Sequence, residues 1–91
     1  MESKIIYVTG IVQGVGFRYT TLQIANELKI YGTVKNLADG SVQIVLQGSS
    51  LKINEMINHL HNFPNHFAKI SKLKIKDIDL PEKYSSFKIE T

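Results

Sequence analysis

The feature that most constrains this chain is the switching of its hydrophobic period. Residues 4–12 alternate, with Ile6, Val8, Gly10 and Val12 on one face and Ile5, Tyr7, Thr9 and Ile11 on the other. β-Branched residues dominate this run, which predicts a strand. Leu22, Ala25 and Leu28 then recur at helical spacing with Ile24 beside them. That spacing predicts a helix from about Tyr19 to Lys29, with Gly32 available near its C-terminus. Residues 33–37 read as a short strand, and Asp39-Gly40 is a hairpin signal. Val42, Ile44 and Leu46 alternate with Gln43, Val45 and Gln47, the pattern of a strand with one buried face. Gly48-Ser49-Ser50 interrupts it, and either serine can cap the helix that follows. That helix carries the stripe Ile53, Met56, Ile57 and Leu60 and is predicted to end by Pro64. Residues 69–76 return to alternation, with Leu73 and Ile75 opposed to Lys72, Lys74 and Lys76. After Pro81, Phe87 and Ile89 mark a last short strand.

The order β-α-β-β-α-β with a short addition predicts an α+β fold of the ferredoxin-like, split βαβ kind. The expectation is an antiparallel sheet with two helices on one face and a short extra edge strand. Ninety-one residues allow a single domain, 1–91. A domain of this size buries roughly two-thirds or less of its unfolded surface, so a site must be small and built largely from backbone. With no cysteine, disulfides, thiolate catalysis and cysteine-held metal are excluded. The net charge of +3 suits an anionic ligand and equally suits solubility alone. The start, Met1-Glu2-Ser3-Lys4, has no signal-peptide pattern, and no run nears the roughly 18 apolar residues of a membrane span. A cytoplasmic monomer with no membrane association is the expectation.

One stretch carries chemistry. Gly10-Ile-Val-Gln-Gly14-Val-Gly16-Phe-Arg18 lies between a predicted strand and a predicted helix. A glycine-rich loop opening a helix can turn successive N–H groups toward one point and so cradle an anion. Arg18 closes the stretch, and a guanidinium fork matches two phosphate oxygens. No Gly-Lys-Ser/Thr follows, so this is not a Walker A loop; Tyr19 stands where a dinucleotide loop has its third glycine. A tight turn with a solvated arginine is the plain alternative, and both remain open on these residues alone.

Gly10-Ile-Val-Gln-Gly-Val-Gly-Phe-Arg18 closely resembles the first signature of the acylphosphatase family. Gly32-Thr-Val-Lys-Asn36, with Asp39-Gly40-Ser41-Val42 and Gly48, resembles the second. The resemblance continues through the second helix and the strand after Ala68, nearly the whole chain. It implies the fold derived above and the hydrolysis of small acyl phosphates to carboxylate and inorganic phosphate, with water as nucleophile. It also implies that Arg18 and the backbone of Gln13, Gly14, Val15, Gly16, Phe17 and Arg18 bind the phosphate. Asn36 is implied to orient the attacking water. No metal and no cofactor are implied, and no general base is evident. Thr33 departs from the family, which usually has an aromatic residue there; Tyr31 offers some of that volume. Leu37 stands where some members carry threonine.

Other residues have plainer readings. An asparagine before a turn often bonds only backbone, which is the alternative for Asn36. His59 and His61 are two apart on a predicted helix and share no face; with His66 they are read as surface residues, and no metal is assigned. Lys69, Lys72, Lys74 and Lys76 are read as a solvated strand face that discourages edge pairing. No nucleic-acid partner is expected, because aromatics do not interleave with those lysines. The rival to an enzyme is a non-catalytic module of the same fold, binding RNA or a partner that carries an acyl phosphate. Tyr7 is the one outward aromatic of the first strand, too few for a stacking platform. An end at Thr91 favours a stand-alone hydrolase.

Overall fold

The computed structural model describes residues 1–91. The elements follow the predicted order: β1 (Glu2–Ile11), α1 (Phe17–Leu28), β2 (Tyr31–Asn36), β3 (Val42–Gly48), α2 (Ser50–His61), β4 (Lys69–Asp77) and β5 (Phe87–Glu90). The strands form one sheet in the order β4-β1-β3-β2-β5. Antiparallel pairing sets Ile6 opposite Ile44, and Ile44 opposite Val34. With Val8, Val42 and Leu46 these side chains point into one core, which they share with Phe17, Ile24 and Ala25 of α1 and Ile53, Met56 and Leu60 of α2. Both helices therefore cover the same face of the sheet. The period-2 residues of three strands meet the period-3.6 stripes of two helices, and that match closes the fold.

The sheet is mixed and not wholly antiparallel as expected, because β5 runs parallel to β2, with Gly32 opposite Phe87 and Val34 opposite Ile89. β4 and β5 lie at opposite edges, so residues 78–86 carry the chain across the sheet and deliver β5 in the same sense as β2. The buried Gln47 amide pins this crossing. Its Nε2 donates to the Glu82 carbonyl at 2.8 Å and its Oε1 accepts from the Tyr84 N–H at 2.7 Å.

Two boundaries differ from expectation for local reasons. α1 starts at Phe17, two residues earlier than predicted, because Gly16 at φ 81° turns the chain directly into the helix. Lys29, not Gly32, takes the left-handed position at its C-terminus (φ 57°), with the Ile30 N–H donating to the Ala25 carbonyl at 3.0 Å. Gly32 lies inside β2, where a Cβ would stand 1.7 Å from the Val45 carbonyl oxygen. At the other helix Ser49 is the cap, accepting from the Lys52 N–H at 3.3 Å, and α2 ends at His61, ahead of Pro64. β4 is an edge strand paired only to β1, and Lys72, Lys74 and Lys76 lie exposed along it. Such lysines oppose pairing with another sheet edge.

Candidate active site

The first signature folds as the end of β1, a turn, and the first turn of α1. Its glycines do different work. Gly10 sits at a bulge between β1 and β4, where a Cβ would stand 2.1 Å from the Lys69 carbonyl oxygen. It serves strand packing and lies outside the loop. Gly14 and Gly16 have φ of 75° and 81°, and a Cβ on Gly14 would meet nothing within 4 Å. Their requirement is conformational: both hold a left-handed backbone that other residues adopt at a cost.

That backbone leaves donors free. None of the N–H groups from Gln13 to Tyr19 donates to another protein group; the first helical bond here runs from the Thr20 N–H to the Gly16 carbonyl. A serine or aspartate cap would take one of these N–H groups, and glycine cannot. No acidic residue occupies the first turn of α1. Arg18 is its second residue, at the positive end of the helix dipole, where a cation is unfavourable. The single salt bridge of the chain joins Lys4 to Asp77, so Arg18 has no carboxylate partner. An unpaired, half-buried guanidinium beside unspent N–H groups makes a strongly positive concavity suited to a small anion.

The rest of the signature holds this loop in place. The Phe17 side chain is buried, and its ring stacks on Phe63 at 4.6 Å between centroids. Its contribution to the loop is thus its N–H, while its ring anchors the helix start. Gln13 Nε2 donates to the Leu37 and Ser41 carbonyls, each at 2.8 Å. This bond pair fastens the loop to the turn between β2 and β3, and so brings the second signature beside the first.

Asn36 is the last residue of β2, opposite Val42 on the helix-covered face. It does not bond the following turn. Asp39 does: it accepts from the Ser41 N–H at 2.9 Å and the Ser41 hydroxyl at 2.5 Å. Asn36 Oδ1 is the only buried side-chain oxygen or nitrogen without a hydrogen-bond partner. An unpartnered buried acceptor costs stability and calls for a use.

The Ser41 hydroxyl and then its N–H hold the Asp39 carboxyl below the usual carboxylate range. A lowered folded-state pKa stabilises above the unfolded value of 3.8, and the benefit is lost as pH falls through the folded value. We expect Asp39→Ala to be less stable than wild type at pH 7. The gap should close below pH 3.8 as wild-type Asp39 is protonated, which thermal melts across pH would check.

One residue that holds the loop escapes the sequence. Asn65 Nδ2 donates to the Val15 carbonyl at 2.9 Å and to Thr20 Oγ1 at 3.2 Å, and its Oδ1 accepts from the Phe67 N–H at 2.9 Å. It latches the loop to the segment after α2 from 50 positions away, and no local pattern signals that. Asn65→Ala is expected to weaken inhibition by inorganic phosphate by about threefold to tenfold, the worth of one or two hydrogen bonds. Unchanged inhibition would remove Asn65 from the site.

The remaining residues lie apart. Thr33 is buried on the sheet face away from the helices, paired to Val45, so the departure there does not reach the loop. Tyr31 is exposed on that same face, opposite Gln47. His59, His61 and His66 are exposed, and no three His, Asp or Glu side chains converge. The two largest hollows, each of about 260 Å³, lie around Met1–Ser3 and Asp77–Leu80 and around Gly32 and Tyr84. The hollow at the loop holds about 180 Å³ and is lined by Val12, Gly14, Gly16, Phe17, Arg18, Tyr19 and Ile89. Asn36 does not line it.

Comparison with known proteins agrees with the two signatures. The acylphosphatase family model matches residues 4–89. The acylphosphatase of Lactobacillus johnsonii is 45% identical over 98% of this chain and 98% of its own. The crystal structure of acylphosphatase from Bacillus subtilis superposes with a TM-score of 0.93 at 32% identity, covering 100% of each chain. An acylphosphatase from Coxiella burnetii gives a TM-score of 0.89 at 34% identity, over 98% of this chain and 92% of that one. The chain belongs to the acylphosphatase family and is an enzyme that hydrolyses acyl phosphates.

Proposed function

We propose that Arg18 and the N–H groups from Gln13 to Arg18 bind the phosphoryl group, and that Asn36 holds the attacking water. The observation that carries this is the set of unspent donors at the start of α1 beside an unpaired arginine. The buried, unpartnered Oδ1 of Asn36 supports the second role, since a water can donate one hydrogen to it.

The reaction suits these groups. The phosphoryl oxygens receive the loop N–H groups and the guanidinium, which neutralise charge where it is greatest in the transition state. The water, held through one hydrogen by Asn36, turns a lone pair toward phosphorus. An amide does not titrate, so this hold is independent of pH. The phosphorus–oxygen bond to the acyl group breaks, and the departing carboxylate is a weak base that needs no acid. The water's proton passes to a phosphoryl oxygen, since no carboxylate or histidine lies among the loop residues. Catalysis is then positioning and electrostatics, with neither a metal nor a cofactor taking part. We take the enzyme to act in the cytoplasm and as a monomer of one domain, the latter supported by a single chain supplying every residue assigned here.

The test is hydrolysis of acetyl phosphate in EDTA by wild type, Arg18→Ala and Asn36→Ala, with inorganic phosphate as inhibitor. Loss of phosphate inhibition only in the arginine variant is the expected pattern. Wild-type protein inactive in EDTA toward small acyl phosphates, or two variants with wild-type rates, would overturn the proposal.

A further inference from the structure

The hollow at the loop has a polar side and an apolar side. Gly14, Gly16 and Arg18 supply the first, while Tyr19 and Ile89 project into the second from α1 and β5. Tyr19 is 60% exposed and Ile89 36% exposed, so two large apolar side chains meet solvent beside a charged group. Ile89 reaches this place only because β5 pairs parallel to β2, with Ile89 opposite Val34 on the helix-covered face. Its neighbours Lys88 and Glu90 point to the other face and leave the wall uncharged. With the phosphoryl group on the loop, the remainder of a small substrate lies over Tyr19 and Ile89.

We propose that Tyr19 and Ile89 form an acyl-binding subsite, and that the enzyme favours acyl phosphates with an apolar acyl group over those whose acyl group carries a second charge. This rests on the phosphate-binding role assigned above to Arg18 and the loop. The hollow of about 180 Å³ accommodates a short hydrocarbon chain together with the phosphoryl group. Covering a methylene fully is worth about fourfold in kcat/KM, and a half-open wall about half of that on a logarithmic scale. Lengthening acetyl to butyryl adds two methylenes, so the expected gain is about fourfold. A distal carboxylate, as in succinyl phosphate, loses hydration against the same wall and finds no cation there, since Arg18 is taken by the phosphoryl group and the Tyr19 hydroxyl is the one donor.

The experiment measures kcat/KM for acetyl, butyryl and succinyl phosphate, with inhibition by inorganic phosphate in each variant. Wild type is expected to prefer butyryl to acetyl by about fourfold and to handle succinyl phosphate least well. In Ile89→Ala the butyryl preference should fall to about twofold or less while phosphate inhibition stays as in wild type. Ile89→Lys should reverse the order of butyryl and succinyl phosphate. It keeps the proposal testable if the alanine variant folds poorly. Equal rates for the three substrates in wild type, or selectivity unaltered in both variants, would overturn the subsite. Failure of the underlying assignment looks different: phosphate inhibition would then be indifferent to Arg18→Ala.

Discussion

Arg18→Ala is expected to lower kcat/KM for acetyl phosphate by about 10³-fold or more, and to weaken inhibition by inorganic phosphate in parallel. The size follows from what the side chain does. It is the one cation at the loop, its fork can meet two phosphoryl oxygens, and no carboxylate competes for it. A loss of 10³ is about 4 kcal/mol, within the range for removing a charge aimed at a transition state. Stability supplies the control. Arg18 makes no side-chain hydrogen bond or salt bridge and stands at the unfavourable end of the helix dipole. Its removal should leave the melting temperature unchanged or slightly higher. An inactive variant that also melts much lower would mean that Arg18 holds the fold and not the substrate. Arg18→Lys should recover only part of the activity, because an ammonium is a point charge without the planar fork.

Asn36→Ala is expected to lower kcat by about 10²-fold or more, with inhibition by inorganic phosphate close to that of wild type. The two readouts separate because the side chain is assigned to the water and not to the phosphoryl group. A structural role predicts something else. If Asn36 merely supported the turn, its loss would destabilise the protein, but Asp39 and Gln13 carry the bonds of that turn. Alanine at this position removes a buried oxygen without a partner, so stability should hold or rise. Phosphate inhibition lost together with activity would move Asn36 from the water to the phosphate.

Much of the scaffold was legible in the sequence because its cause is local. Alternation in residues 4–12 and 42–47 and the stripes at Ile24 and Ile53 are periodic signals that a half-buried strand or helix must carry. The loop from Gly14 to Arg18 was legible for a similar reason. Positive φ and free N–H groups at a helix start depend on a few adjacent residues, and glycine marks them. Gly10, on one face of the first predicted strand and at the head of the loop stretch, and Gly32, near a predicted helix end, carry no such local mark. Both instead serve close backbone approach across strands, to Lys69 and Val45, and only the paired strand reveals that need.

What the sequence by itself determined is therefore the element order, the core stripes, and the glycine-built turn that ends at Arg18. Tertiary structure alone decided the direction of β5, the arrival of Ile89 beside Arg18, the Asn65 latch on Val15, and the use of the Gln13 side chain as a tie to Leu37 and Ser41. The difference is one of range. Periodicity and turn chemistry act over a few residues, whereas each of these contacts joins positions 24 to 71 residues apart through the packing of the whole sheet.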